Sequence, residues 1–168
     1  MRLKVYFILP VFLIGVKVIA QTDTSISQKG IQAKLHYGFI FAHSQHVQNT
    51  AGSHPLGLEI EFIKQRMDTA AWKLCNCYPT TGLSLSYFNF NNAVLGHGFS
   101  IAYFLEPSYR ISKRAQFRFR GNIGISYNTN PYHTQRNPAN MSYSTQLNGF
   151  AQVGLSGAYQ VGSRWLIF

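Results

Sequence analysis

Two pairs of charged residues give the first chemical signal in this chain: Glu59 and Glu61 lie two positions apart, and so do Arg118 and Arg120. In an extended segment that spacing puts both members of a pair on one face. The expectation is a network of opposite charges meeting across a sheet interior. The sharper alternative is a catalytic carboxylate pair. Cys75 and Cys77, one residue apart, offer two ligands with no adjacent His or carboxylate, too few for a tetrahedral zinc shell. They form either a labile disulfide closing a small ring or two free thiols in a polar turn. His43, His46 and His54 share one loop in a spacing that matches no helical or hairpin ligand set, so they are expected on the surface and no metal is called for.

Strands must position these residues. With 46% hydrophobic, 15% aromatic and 12% charged residues, 14 Gly, and no Ala-, Glu-, Lys- and Leu-rich helical stretch after residue 20, the chain reads as all-β. The strongest pattern runs over 116–159, two long alternating strands joined by a loop rich in Asn, Pro and Tyr. Phe117, Phe119, Ile123, Ile125 and Tyr127 share one face of the first, and Gln116, Arg118, Arg120, Asn122, Ser126 and Asn128 the other. The second strand opposes Leu147, Ala151, Val153, Leu155 and Tyr159 to Asn148, Gln152, Gly154, Ser156 and Ala158, and only Phe150 breaks its polar face. Shorter strands are expected at 33–42, 56–64, 81–90 and 98–106, with the start of a seventh at 164–168. Residues 65–80 make a long connection, 107–113 a basic turn and 160–163 a short one.

Residues 1–20 carry Arg2 and Lys4, then an apolar run, then Val18-Ile19-Ala20 ahead of Gln21, which fits an export leader cleaved after Ala20. Lys17 interrupts the run and leaves it short for a spanning helix, which needs about 20 apolar residues. Residues 21–32 are expected as a flexible lead-in and 33–168 as one β domain. Loss of Arg2, Lys4 and Lys17 with the leader still leaves a basic chain. For an exported protein that charge suits phosphorylated lipid headgroups, and no basic helix or RNA-binding signature points to nucleic acid. Alternation alone leaves open which face of the sheet points inward. The leader, the small polar residues on the wet faces and the aromatics near strand ends favour an antiparallel outer-membrane β-barrel over a secreted sandwich.

A resemblance extends this. Tyr37-Gly38-Phe39-Ile40 with His43-Ser44, Pro55-Leu56-Gly57-Leu58-Glu59, Gly124-Ile125-Ser126-Tyr127, Asn130-Pro131-Tyr132, Asn137-Pro138 and Leu147-Asn148 follow one another in an order that resembles the outer-membrane lipid A deacylases of the PagL type, the acyloxyacyl hydrolases. The likeness runs from about Lys34 onward. It implies an eight-stranded barrel that hydrolyses an ester-linked acyl chain of lipopolysaccharide through a Ser nucleophile, a His base and a Glu that orients the His. It implies no cofactor. Its partners would be lipid A and outer-membrane lipids. The family carries its His and Ser in a His-x-Ser-Asn motif, and no histidine here is followed two places on by Ser. About six strands and the start of a seventh are present. The expectation is therefore a C-terminally truncated scaffold without the catalytic residues, against the alternative of a complete small non-enzymatic barrel ending at Phe168. In the resemblance the loop from Thr129 to Met141 faces outward beside the active site, which makes Tyr132, Arg136, Asn137 and Asn140 candidates for headgroup contact.

Overall fold

The computed structural model describes residues 16–18, 27–42, 44–161 and 165–167. Most of the expected leader, the first part of the lead-in, His43, Arg164 and Phe168 fall outside the described residues. The strands are β1 (Val16–Val18), β2 (Ser27–Tyr37), β3 (Leu56–Arg66), β4 (Thr80–Asn89), β5 (His97–Glu106), β6 (Ser108–Arg110), β7 (Ala115–Asn128), β8 (Leu147–Val161) and β9 (Trp165–Ile167). They form one antiparallel sheet in the order β1-β2-β3-β4-β5-β7-β8-β9, with β6 on β7. Six long strands, β2, β3, β4, β5, β7 and β8, make its body.

The sheet is curled into a half-barrel. Arg120 on β7 reaches Glu61 on β3 at 2.5 Å, although β4 and β5 lie between their strands. In a flat sheet three strand spacings would hold them about 14 Å apart. The curl points the polar face inward. Glu61 and Phe104 are each 1% exposed on the concave side, whereas Ile123 and Val153 are each 72% exposed on the convex side. Leu35, Phe62, Leu85, Ile101, Phe119 and Leu155 continue that exposed apolar surface along every long strand. The question left open by alternation is thus decided: the apolar residues of the long hairpin are outside.

Several expected boundaries move. The first strand begins at Ser27 rather than residue 33, because β3 supplies a ladder partner from Ser27 opposite Arg66 to Tyr37 opposite Leu56. Residues 27–32 are therefore strand and not flexible lead-in. It ends before residue 38, since Gly38 donates to the Pro55 carbonyl at 3.1 Å and Pro55 has no N–H to return. The 65–80 connection contains the helix α1 (Thr69–Cys75). Asp68 caps it by accepting the Ala71 amide at 2.6 Å, and Asn76 closes it in the left-handed region at φ 52°. A seven-residue helix has too little periodicity to be seen against the strands around it. Cys75, the last residue of α1, forms a disulfide with Cys77, which is fully buried, so the free-thiol alternative is set aside. The basic turn at 107–113 contains β6, which pairs with β7 in the same register as β5 does; Pro107, lacking a donor, only interrupts the strand.

Close packing across the concave face depends on glycine. A Cβ on Gly82 would lie 2.1 Å from the Phe62 carbonyl oxygen and 2.8 Å from the Phe104 ring, which lies on the strand beside it. Gly82→Val is expected to destabilise the fold by about 1–3 kcal/mol through overpacking, read as a lower urea midpoint at unchanged slope.

Candidate functional site

Three of the chain's five acidic residues lie on the concave face, and each meets a cation. Arg120 lies 2.5 Å from Glu61 Oε1, 3.4 Å from Glu59 Oε1 and 3.3 Å from Glu106 Oε2, with its guanidinium 3.7 Å above the Phe104 ring centre. Lys34 Nζ donates to Glu61 at 2.7 Å, and His36 Nε2 is 2.7 Å from Glu59 Oε2. Arg118 pairs with Glu106 at 3.4 Å and also interacts electrostatically with Glu61. The β2–β3 register accounts for the Lys34 and His36 contacts: Lys34 lies opposite Glu59 and Gln32 opposite Glu61, so inward side chains of β2 meet the acids of β3 diagonally. Because every one of these carboxylates is shared with a cation, the cluster suits a structural interior better than a catalytic carboxylate pair.

Lys34, His36 and Glu106 were not singled out from the sequence, yet four of the six ion pairs in the cluster involve one of them. The facing was legible for all three. Lys34 and His36 share a face of the first strand by the same two-residue spacing that marked Glu59 and Glu61. Alternation along 98–106 also puts Glu106 opposite Leu105 on the polar face, but it is a lone acid at the end of its strand with no like-charged neighbour two residues away to mark it.

At the end where β2, β4 and β7 finish, the three connecting loops are tied into one body by asparagine amides. Asn49 donates to the Ala139 carbonyl at 2.7 Å, and Asn92 to the Asn49 carbonyl at 3.1 Å and Ser53 Oγ at 2.8 Å. Asn137 donates to the carbonyls of Val94 at 2.9 Å and Asn130 at 3.0 Å; Asn140, 1% exposed, donates to Asn130 at 2.5 Å. The Tyr143 hydroxyl donates to the Leu95 carbonyl, and its burial pushes the phenol above its ordinary range, with the Asn140 hydrogen bond acting the other way.

The four headgroup candidates therefore divide. Asn137 and Asn140 spend their amides holding the loops together. Tyr132 and Arg136 border an open concavity of about 410 Å³ together with His133, Asn137 and Gln146. The backbone amides of Gln135 and Arg136 both donate to His133 Nδ1 at 3.2 Å, so the neutral ring carries its proton on Nε2. That adds a donor beside Arg136 and Tyr132 in a concavity suited to an oxyanion. Of the loop histidines, His54 stacks on Tyr37 with ring centres 5.8 Å apart. Among the described residues no three His, Cys, Asp or Glu side chains are placed to hold a metal ion. The chain matches no protein-family model, no curated protein and no solved structure.

Two substitutions test these roles. Arg120→Met leaves Glu59, Glu61 and Glu106 short of one buried cation and is expected to cost about 3–5 kcal/mol, measured by urea unfolding. Asn140→Ala is expected to cost about 1–3 kcal/mol and to speed proteolysis within 129–146. Because the Tyr143 pKa is raised on folding, its buried phenol contributes fully below the ordinary tyrosine range near pH 10. Protease protection of this loop is expected to fall as pH rises past that value.

Proposed function

We propose that this chain belongs to an outer-membrane β-barrel that hydrolyses an ester-linked acyl chain of lipopolysaccharide, as the lipid A deacylases it resembles do. The observation that carries the membrane part is the inversion of the sheet, with apolar side chains on the convex face of every long strand and paired charges on the concave face. In water that convex surface would be costly, at about 25 cal/mol for each Å² of apolar area exposed; against hydrocarbon it is matched. The leader-like residues 1–20 and the basic balance support export and an anionic lipid partner.

The enzymatic part rests on the ordered motifs from Tyr37 to Asn148. In the proposed division of labour these 168 residues supply the scaffold and the headgroup-facing loops, with Tyr132, Arg136 and His133 as donors toward lipid phosphates. The His-x-Ser-Asn motif is not among them. His36 has Glu59 as its partner rather than a serine, which favours as second reading a non-enzymatic barrel of structural or adhesive role.

Mass spectrometry of lipid A from cells expressing the complete reading frame is expected to show loss of one hydroxyacyl chain. Unchanged lipid A, with the protein in the outer-membrane fraction, would favour the second reading. The membrane part is tested separately by Ile123→Arg. On a lipid-facing strand this costs about 2–4 kcal/mol near the bilayer midplane and lowers the carbonate-resistant fraction, whereas on a water-facing surface the protein's fractionation and stability would not change.

A further inference from the structure

The geometry points to a binding chamber for one linear acyl chain on the concave face, beneath the interlocked loops. A cavity of about 580 Å³ lies there, within the range of small-molecule sites. Its walls include Phe88, Phe90, Phe150, Leu95, Tyr143 and His36. This explains Phe150, the one residue that breaks the polar face of its strand: it closes an apolar compartment inside an otherwise polar interior.

The compartment is built by paired residues. Phe88 has Gly57 as its register partner on β3 and Gly98 as its partner on β5. A Cβ on Gly57 would fall 2.4 Å from the Phe88 ring, and one on Gly98 would fall 3.1 Å from the Phe90 ring. Glycine on both neighbouring strands lets the two rings lie against the sheet and leaves the space above them open.

The occupant follows from what the walls can satisfy. A folded-in peptide segment would bring backbone N–H and C=O groups that phenyl walls cannot partner. A sugar or phosphate would need more polar partners than the few hydroxyl and amide groups set among these phenyl walls can supply. A hydrocarbon chain needs only apolar area. Ser100, Ser126 and Asn128 also line the chamber, and they provide polar contacts for a hydroxyl or ester carbonyl borne by such a chain. Below lies His36, held by Glu59, the first member of the charge cluster. The acylated lipid of the proposed function would supply the chain, so the inference rests on that reading for its source.

The test uses the full chain, with Trp72 and Trp165 changed to Phe, reconstituted in phosphatidylcholine vesicles and carrying one new indole. Phe150→Trp places it in the chamber and Ile123→Trp on the convex face. Brominated stearic acid is expected to quench the Phe150→Trp indole saturably, with reversal by unlabelled stearate, and to quench the Ile123→Trp indole without saturation. Gly57→Leu, which forces Phe88 into the chamber, and Ser126→Phe, which fills it from β7, are each expected to weaken the saturable phase at least tenfold, about 1.4 kcal/mol. Non-saturable quenching at Phe150→Trp, or saturable quenching that both filling variants leave unchanged, would overturn the chamber. No quenching of the Ile123→Trp indole would instead remove the membrane reading. The same titration in buffer then decides the chamber alone, saturable quenching upholding it and its absence overturning it.

Discussion

The guanidinium of Arg120 lies among three carboxylates drawn from β3 and β5 and covers the ring of Phe104. Taking such groups out of water costs several kcal/mol per ion, and only mutual neutralisation with good geometry offsets it. Neutralisation here requires β3 and β7 to approach across the concave face, so the charges and the curl depend on each other. Once the charged face is inside, the alternation of every long strand sends Ile, Leu, Val and Phe outside. The membrane reading and the candidate interior both descend from that one arrangement.

Space inside the curl is divided by residue size. Phe104 lies beside Gly82 and Phe88 between Gly57 and Gly98, so large side chains face positions with none. The lower interior is filled with ion pairs and amides, and the upper part keeps its volume. Above it the asparagine amides fasten three loops to one another through backbone carbonyls. A lipid headgroup would thus meet a surface already ordered, which lowers the entropy lost on binding. Asn137 and Asn140 hold in place the loop that carries Tyr132, His133 and Arg136.

Much of this was legible in residue spacing. Two-residue alternation located the long strands and assigned most side chains to a face, and Glu59, Glu61 and Arg120 do meet. The boundaries of β2, the short helix α1 and the return strand β6 were not legible. The two strands depend on a partner elsewhere, the β3 ladder for β2 and the continued register on β7 for β6, while the helix is too short to show a period of its own. The ion pair of Arg118 with Glu106 was not legible for the same reason, because a strand's own pattern says which way a side chain points and not which strand's residue it will reach.

The sequence by itself determined that this is an antiparallel sheet with one apolar and one polar face, because steric alternation along an extended chain is a local property. It also determined that the carboxylates of the long strands and the paired arginines share the polar face. Only the tertiary structure decided which face is enclosed. Curvature is a property of the whole sheet, set by ion pairs between strands that are not neighbours and by glycines that let large rings lie flat, and no single strand records its sign.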